Sequence, residues 1–309
     1  MDFIQKIMKK RHHYIPIFYL KGFVDPYNEP FLWQYEKGCK DIKKVTAENI
    51  AWRKYYYSFT NIEGKQDSFE DVLAVLEGAA SLIFKKIKNY EILNDQERGD
   101  FSYFLATMLT RVPRLREHFE SYARNYMKQF GQYAGSNKNI LESIIKNYEK
   151  DTGQKIPVST KDLQDFLVKG NYDINFGESF SLEPMTYIKN IANIFFRMKW
   201  VFFEALDNFK FITSDNPIAF WDPSQSPSSF LGVGLLNKNI EVTFPISKDF
   251  MFLGSWKFES KNYIKANNNT VKDINYRTVL SAARFIFSCE NSTSLYNFIQ
   301  KLSSTDNKK

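Results

Sequence analysis

Histidine is scarce in this chain, with three among 309 positions: His12, His13 and His118. No paired-histidine metalloprotease helix is present. Cysteine is rarer still, with Cys39 and Cys289 far apart and in no ligand spacing. That argues against a metal cluster and a disulfide framework, and no disulfide-linked partner is expected. No apolar run is long enough to span a bilayer. The nearest, Ile191 to Leu206, is interrupted by Arg197, Lys199 and Glu204. The first residues lack the apolar core of a signal peptide. A cytoplasmic protein with no membrane partner is the simplest expectation. The phosphate-binding glycine loop and the nucleophile elbow are missing as well, and Gly232 and Gly234 around Val233 do not make a dinucleotide site.

Aromatic side chains are abundant, at 17% with 29 Phe and 18 Tyr. Together with 43% hydrophobic and 25% charged residues, they give a chain that buries a sizeable core. Lys and Arg number 42 against 35 Asp and Glu, a net charge of +7. This mild excess permits RNA or DNA as a partner without demanding one. Part of it is concentrated at Lys6, Lys9, Lys10 and Arg11.

Residues 13 to 35 read as extended structure and turns, followed by strands at Phe31 to Tyr35 and Tyr55 to Phe59. Ser68 and Asp71, then Asn94 and Glu97, form capping patterns ahead of two apolar-periodic helices. Pro113 interrupts or restarts the second. The more polar region 131 to 180 reads as a helical insertion, with starts near Asn139 and Ser159. Glu183 to Arg197 is helical again. The period then shortens, giving strands at Lys199 to Leu206, Phe209 to Ile212, Ile218 to Trp221, Ile240 to Phe244 and Phe250 to Trp256. A helix over Val271 to Ala282, a strand at Arg284 to Ser288 and a closing helix over Ser294 to Leu302 follow. The expected fold is α+β, a helical first half packed with an antiparallel or mixed sheet built mainly from the second half, in one interleaved domain.

A few polar residues interrupt apolar segments. His12 and His13 precede a strongly apolar run, either as a general base or metal ligand, or as a buried ring that anchors the N-terminal segment. Glu70 and Glu77 differ by only about 20° around a helix axis. Glu77, among Leu73, Leu76 and Ala80, points inward and needs a cation. Arg111 interrupts the next helix. It serves either as that partner or as a guanidinium offered to a phosphate or carboxylate. Thr213-Ser214-Asp215-Asn216-Pro217 is a polar cluster at a strand end, where a site or an ordinary turn fits equally. Asn275 is a weaker candidate, and His118 lies in a charged, solvated stretch.

These elements resemble the bacterial family called domain of unknown function 4238. His13-Tyr14-Ile15-Pro16 with Phe18-Tyr19-Leu20 and Phe23 is similar to its N-terminal signature, and Glu70 and Glu77 to its paired glutamates. Arg111-Val112-Pro113 resembles its Arg-Thr-Pro element with Val in place of Thr. Phe211 to Pro217 resembles its Ser-Asp-Asn-Pro motif. Phe244-Pro245-Ile246-Ser247 resembles its Pro-Leu-Ser element with one substitution, and Asn275 with Arg284-Phe285 its C-terminal pattern. The likeness spans about residues 11 to 288 and is poorly defined over 131 to 180. It implies that His13, Glu70, Glu77, Arg111 and Asp215 share a site. Catalysis would fall to His13, Asp215, Glu77 and Arg111, with Ser214, Asn216 and Glu70 touching the ligand. The parts suit a hydrolase, foremost a phosphodiesterase or nuclease in which carboxylates hold a divalent metal, histidine moves a proton and arginine offsets phosphoryl charge. A place in bacterial defence or toxicity follows only by association. The alternative is a non-catalytic module that uses the same cluster to bind an anion, a nucleic acid or a partner.

Overall fold

The hydrophobic period changes near Met198, and the architecture changes with it. The computed structural model describes residues 10–60, 66–206, 209–225, 234–257 and 262–306. Lys6, Lys9, Gly232 and Val233 lie outside them. The chain forms two compact units, one from residues up to Leu115 and from Leu182 onward, the other from Arg116–Ser181.

In chain order the first part runs β1 (Arg11–His13), α1 (Ile17–Leu20), β2 (Phe31–Glu36), β3 (Ile42–Thr46), β4 (Trp52–Lys54), β5 (Ser58–Thr60) and β6 (Gln66–Ser68). The helices α2 (Glu70–Lys88), α3 (Asp95–Thr110), α4 (Pro113–Ser136), α5 (Lys138–Thr152), α6 (Thr160–Lys169), α7 (Glu183–Thr186) and α8 (Ile188–Arg197) come next. The remainder is β7 (Lys199–Ala205), β8 (Thr213–Ser214), β9 (Ala219–Trp221), β10 (Glu241–Pro245), β11 (Phe250–Ser255), β12 (Tyr263–Ala266), α9 (Asn268–Ser281), β13 (Phe285–Ser288) and α10 (Thr293–Asp306). The fold is α+β. A mixed sheet in the order β12-β7-β11-β10-β9 comes wholly from the second half, with β12 and β7 its parallel pair. A second sheet, β3-β2-β13-β8, is antiparallel and draws β2 and β3 from the first half. The ribbons β1-β4 and β5-β6 stand apart from both.

Aromatic rings join the helices to the mixed sheet. Phe84 of α2 meets Phe101 and Phe104 of α3 at 6.0 and 5.5 Å, and Phe101 meets Trp200 and Phe252 at 5.5 Å each. Tyr19 of α1 stacks on Phe244 of β10 at 5.1 Å. Helix α2 buries Leu73, Ala80, Ile83, Phe84 and Ile87. Val72 and Val75 are exposed instead, because about 100° per residue puts Val75 about 200° from Leu73. Gly22 admits a close backbone approach, since a Cβ there would lie 3.2 Å from the Ser247 Cβ and 3.3 Å from the Ile246 carbonyl oxygen.

Within the second unit, the Gln164 side-chain amide donates to the Gly135 carbonyl at 3.0 Å. A Cβ on Gly135 would come within 2.9 Å of Leu167, so glycine is what lets α4 and α6 approach. Helices α5 and α6 end on Gly153 and Gly170 in the left-handed conformation that glycine adopts without strain.

Several local readings are corrected. Residues 17 to 23 are α1 and a 3-10 turn rather than extended chain. Pro16 presets the backbone angle for a helix start, and Tyr19, Leu20 and Phe23 are buried on that turn. Phe209 to Ile212 does not enter a ladder. The Phe211 amide donates to the Lys248 carbonyl and the Ile212 amide to Asn275 Oδ1, so only Thr213 and Ser214 pair with β13. The expected strand at Tyr55 begins only at Ser58, because Tyr55 has a left-handed φ of 52° and turns the chain. The helix over 183 to 197 is broken at Tyr187. No described helix is long and apolar enough to cross a membrane. Cys39 and Cys289 are both free thiols, and burial pushes the Cys289 thiol up to about 12.

The Asn94–Glu97 capping box is complete, with each side chain accepting from the other's backbone amide at 2.9 and 3.0 Å. Asn94→Ala should therefore cost about 1 kcal/mol, read as a lower denaturant midpoint at unchanged slope. An unshifted midpoint would show that the box does not hold α3.

Candidate functional site

β1 and β4 pair antiparallel, with Arg11 opposite Lys54, His12 opposite Arg53 and His13 opposite Trp52. Alternation along a strand sends neighbouring side chains to opposite faces, so the two adjacent histidines do different things. His12 is buried, its Nδ1 accepts from the Tyr57 amide at 2.9 Å, and its ring stacks on Tyr57 at 5.6 Å. It is the structural anchor. His13 is half-buried, and its Nε2 lies 3.1 Å from the Glu48 carbonyl oxygen. A carbonyl oxygen only accepts, so Nε2 carries the proton. Nδ1 then presents a lone pair, and among the described residues it has no hydrogen-bond partner.

Burial lowers the His13 pKa from 6.5. The Glu48 hydrogen bond and the charges of Glu70 and Glu77 oppose that shift, and the charge of Arg111 reinforces it. Four of the expected residues thus lie in one electrostatic neighbourhood. Glu70 opens α2, where the helix dipole favours an anion, and its carboxylate has no partner among the described residues. Glu77 lies two turns on. Its Oε1 accepts from Arg111 Nη1 at 2.9 Å, the expected ion pair, with Arg111 fully buried and the Glu77 side chain 29% exposed. Arg111 caps the C-terminus of α3, and its Nε donates to the Tyr14 carbonyl at 2.9 Å. Its Nη2 is buried with no hydrogen-bond partner among the described residues. Arg111 is therefore a positioning residue. It holds Glu77 and the backbone next to His13, and has no surface left to offer a ligand.

Ser214, Asp215 and Asn216 belong to a different network. Asp215 Oδ1 accepts from the Ala283 amide at 2.8 Å, and Oδ2 from the Arg284 and Phe285 amides at 2.8 and 3.0 Å. Burial pushes its carboxyl above the ordinary value, and these three amides pull it back. No hydrogen bond or ion pair joins Asp215 to His13, Glu70, Glu77 or Arg111. The Ser214 hydroxyl accepts from the Asn216 amide at 3.2 Å, and Asn216 Nδ2 donates to the Ser281 carbonyl and hydroxyl at 2.8 and 3.0 Å. Arg114 donates from Nη1 to the Ser281 carbonyl and to those of Leu280 and Ala282. Asn275 bridges the Ile212 amide and the Lys210 carbonyl. The expected meeting of Asp215 with His13 thus gains no contact. Both oxygens of Asp215 are committed to fixing the chain between α9 and β13.

The family model described as "Protein of unknown function (DUF4238)" matches residues 11–292. The chain belongs to that family. No curated protein and no solved structure matches it. In this DUF4238 protein the signature residues therefore divide between a His13–Glu70–Glu77–Arg111 cluster and an Asp215-centred clamp. Sequence reasoning missed Glu48, Tyr14 and Tyr57, which act partly or wholly through backbone atoms and leave no mark in residue type. It also missed Arg114, whose signal is a cation in the first turn of a helix, where the dipole favours carboxylates. His118 is exposed. Among the described residues no three His, Cys, Asp or Glu side chains are grouped to hold a metal ion, so the divalent ion has no assembled ligand set there.

Asp215→Ala would strand three amides and should lower stability by about 3 kcal/mol or more, seen as a large fall in Tm. Glu77→Ala leaves a buried guanidinium unpaired. It should cost about 2–3 kcal/mol, below the fully buried range because Glu77 is partly exposed. Glu77→Gln should cost less. Equal losses from both Glu77 variants would show that the carboxylate charge carries the pair and that a neutral amide oxygen does not replace it.

Proposed function

We propose that this protein is a hydrolase of phosphodiester bonds with His13 as its general base. The observation that supports this reading is the Nδ1 lone pair of a neutral, half-buried imidazole, oriented by the Glu48 carbonyl and flanked by two carboxylates. His13 Nδ1 takes a proton from the attacking water, the water oxygen bonds to phosphorus, and the ester P–O bond breaks. The leaving oxygen recovers a proton from the imidazolium. Burial keeps the ring unprotonated before the step, and Glu70 and Glu77 offset the charge it then acquires. Arg111 and Tyr14 set the geometry without touching substrate. A non-catalytic binding module is the second reading. It is favoured by the complete burial of Arg111, which removes one expected source of phosphoryl stabilisation.

The test is a screen of bis-p-nitrophenyl phosphate, RNA and DNA with the wild-type protein and His13→Ala. The variant should lose about 100-fold or more in rate with little change in Tm, since the ring makes one hydrogen bond. A base must be unprotonated, so activity should be full at neutral pH and fall on acidification through a pKa below 6.5. A wild-type chain inert on all three substrates, or an equally active His13→Ala, would end the hydrolytic reading.

A further inference from the structure

Directly opposed residues of an antiparallel pair point to the same side. One face of the β1-β4 ribbon therefore carries Arg11, Lys54, His13 and Trp52 together. Arg11 and Lys54 are exposed, as is Lys10 just before the ribbon. Among the described residues no carboxylate pairs any of the three. Elsewhere in the chain many cations are paired, for example Lys21 with Glu48 and Arg277 with Glu241. Among the described residues many other surface lysines also lack a carboxylate partner, so what sets this face apart is that its cations share one side of a ribbon with Trp52 and His13.

The aromatic part of the face is held by two contacts. The Trp52 indole donates to the Asn49 carbonyl at 3.2 Å, and the Arg11 guanidinium lies over its ring at 4.4 Å from the centroid. A guanidinium stacked on an indole is a preformed platform to which a further flat, electron-rich ring adds. Cations that follow a phosphate chain, interleaved with an aromatic plane that takes a base, make up the recognition chemistry of single-stranded nucleic acid. Double-stranded nucleic acid offers no free base face to such a platform. An acidic peptide would use the cations but leave Trp52 idle.

We propose that the β1-β4 ribbon binds a single strand of nucleic acid, with Arg11 and Lys54 on the phosphates and a base on the Arg11–Trp52 stack. The phosphodiester next to the stacked base then lies beside His13, whose Cα is about 5 Å from that of Trp52 across the ribbon. The cut rests on the hydrolytic reading of His13, whereas the binding does not.

The experiment is fluorescence anisotropy of the full chain with short labelled single-stranded RNA and DNA, run in parallel so that the two are distinguished, with the matching duplex and polyglutamate as competitors. At least one single strand should bind in preference to its duplex. Trp52→Ala should weaken it about 10-fold. Arg11→Glu with Lys54→Glu should weaken it further and reduce the salt slope by about 1.4, from two phosphate contacts at about 0.7 each. All three residues are at least partly exposed and lie on a short ribbon, so circular dichroism and Tm should stay near wild type. His13→Ala should bind normally and not cut. Binding by the wild type without cleavage would support the ribbon and sink the hydrolytic reading. Absence of single-strand binding, binding unmoved by the ribbon variants, or competition by polyglutamate as strong as by nucleic acid would overturn the proposal.

Discussion

A guanidinium with no solvent contact is the constraint around which the first half of this molecule is arranged. Taking an ion of that size out of water costs several kcal/mol even after relaxation. Arg111 is tolerable only because three things offset the cost together. Glu77 supplies the opposite charge, the Tyr14 carbonyl takes the Nε proton, and the C-terminal end of α3 supplies a favourable dipole. Each comes from a different segment. Satisfying one ion thereby fixes α2, α3 and the strand before α1 relative to one another. Tyr14 follows His13 directly, so the same ion fixes where the imidazole lies.

The second network applies the same electrostatic logic to a chain reversal. At the end of α9 the carbonyls of residues 280 to 282 have no helical partners further on, and Arg114 covers them with its donors. Immediately afterwards the amides of residues 283 to 285 face inward, and Asp215 covers those with its acceptors. A cation on the carbonyls and an anion on the amides hold both sides of one bend. Asn216, bonded to Ser281, locks the two halves together. The Ser214-Asp215-Asn216 segment is therefore accounted for by architecture. It needs an acid, an amide and a proline in that order because it must accept, donate and turn within three residues.

How much of this was legible in the sequence depends on whether an interaction uses side chains or backbone. The Glu77–Arg111 pair could be read because each is a lone charge on an apolar helical face. The α+β division could be read because apolar spacing is visible in residue type. The placement of Asp215 could not, since its partners are three backbone amides, identical in every residue. A polar cluster after an apolar run looks the same whether it serves a ligand or a turn. The strand expected at Phe209 to Ile212 failed for a related reason: its amides are claimed by Lys248 and Asn275, competitors that no local pattern contains.

The division of the signature residues also dictates how a ligand would approach His13. The positive charge of Arg111 is offset by Glu77 and sealed from solvent, so it attracts nothing from outside. Glu70 is left as an unpaired negative charge on the α2 side of the imidazole. An anion is repelled from that side and drawn toward Lys10, Arg11 and Lys54. The charges that act on the His13 ring are those of Glu70, Glu77 and Arg111, while Arg11 and Lys54 lie on the ribbon that bears it. On the proposed reading, a phosphate chain would follow the ribbon cations, and Glu70 would steady a proton on the ring. Among the described residues Glu70 closes no contact in the Arg111 network, and an unpaired carboxylate beside an imidazole is a feature that a purely structural role leaves unused.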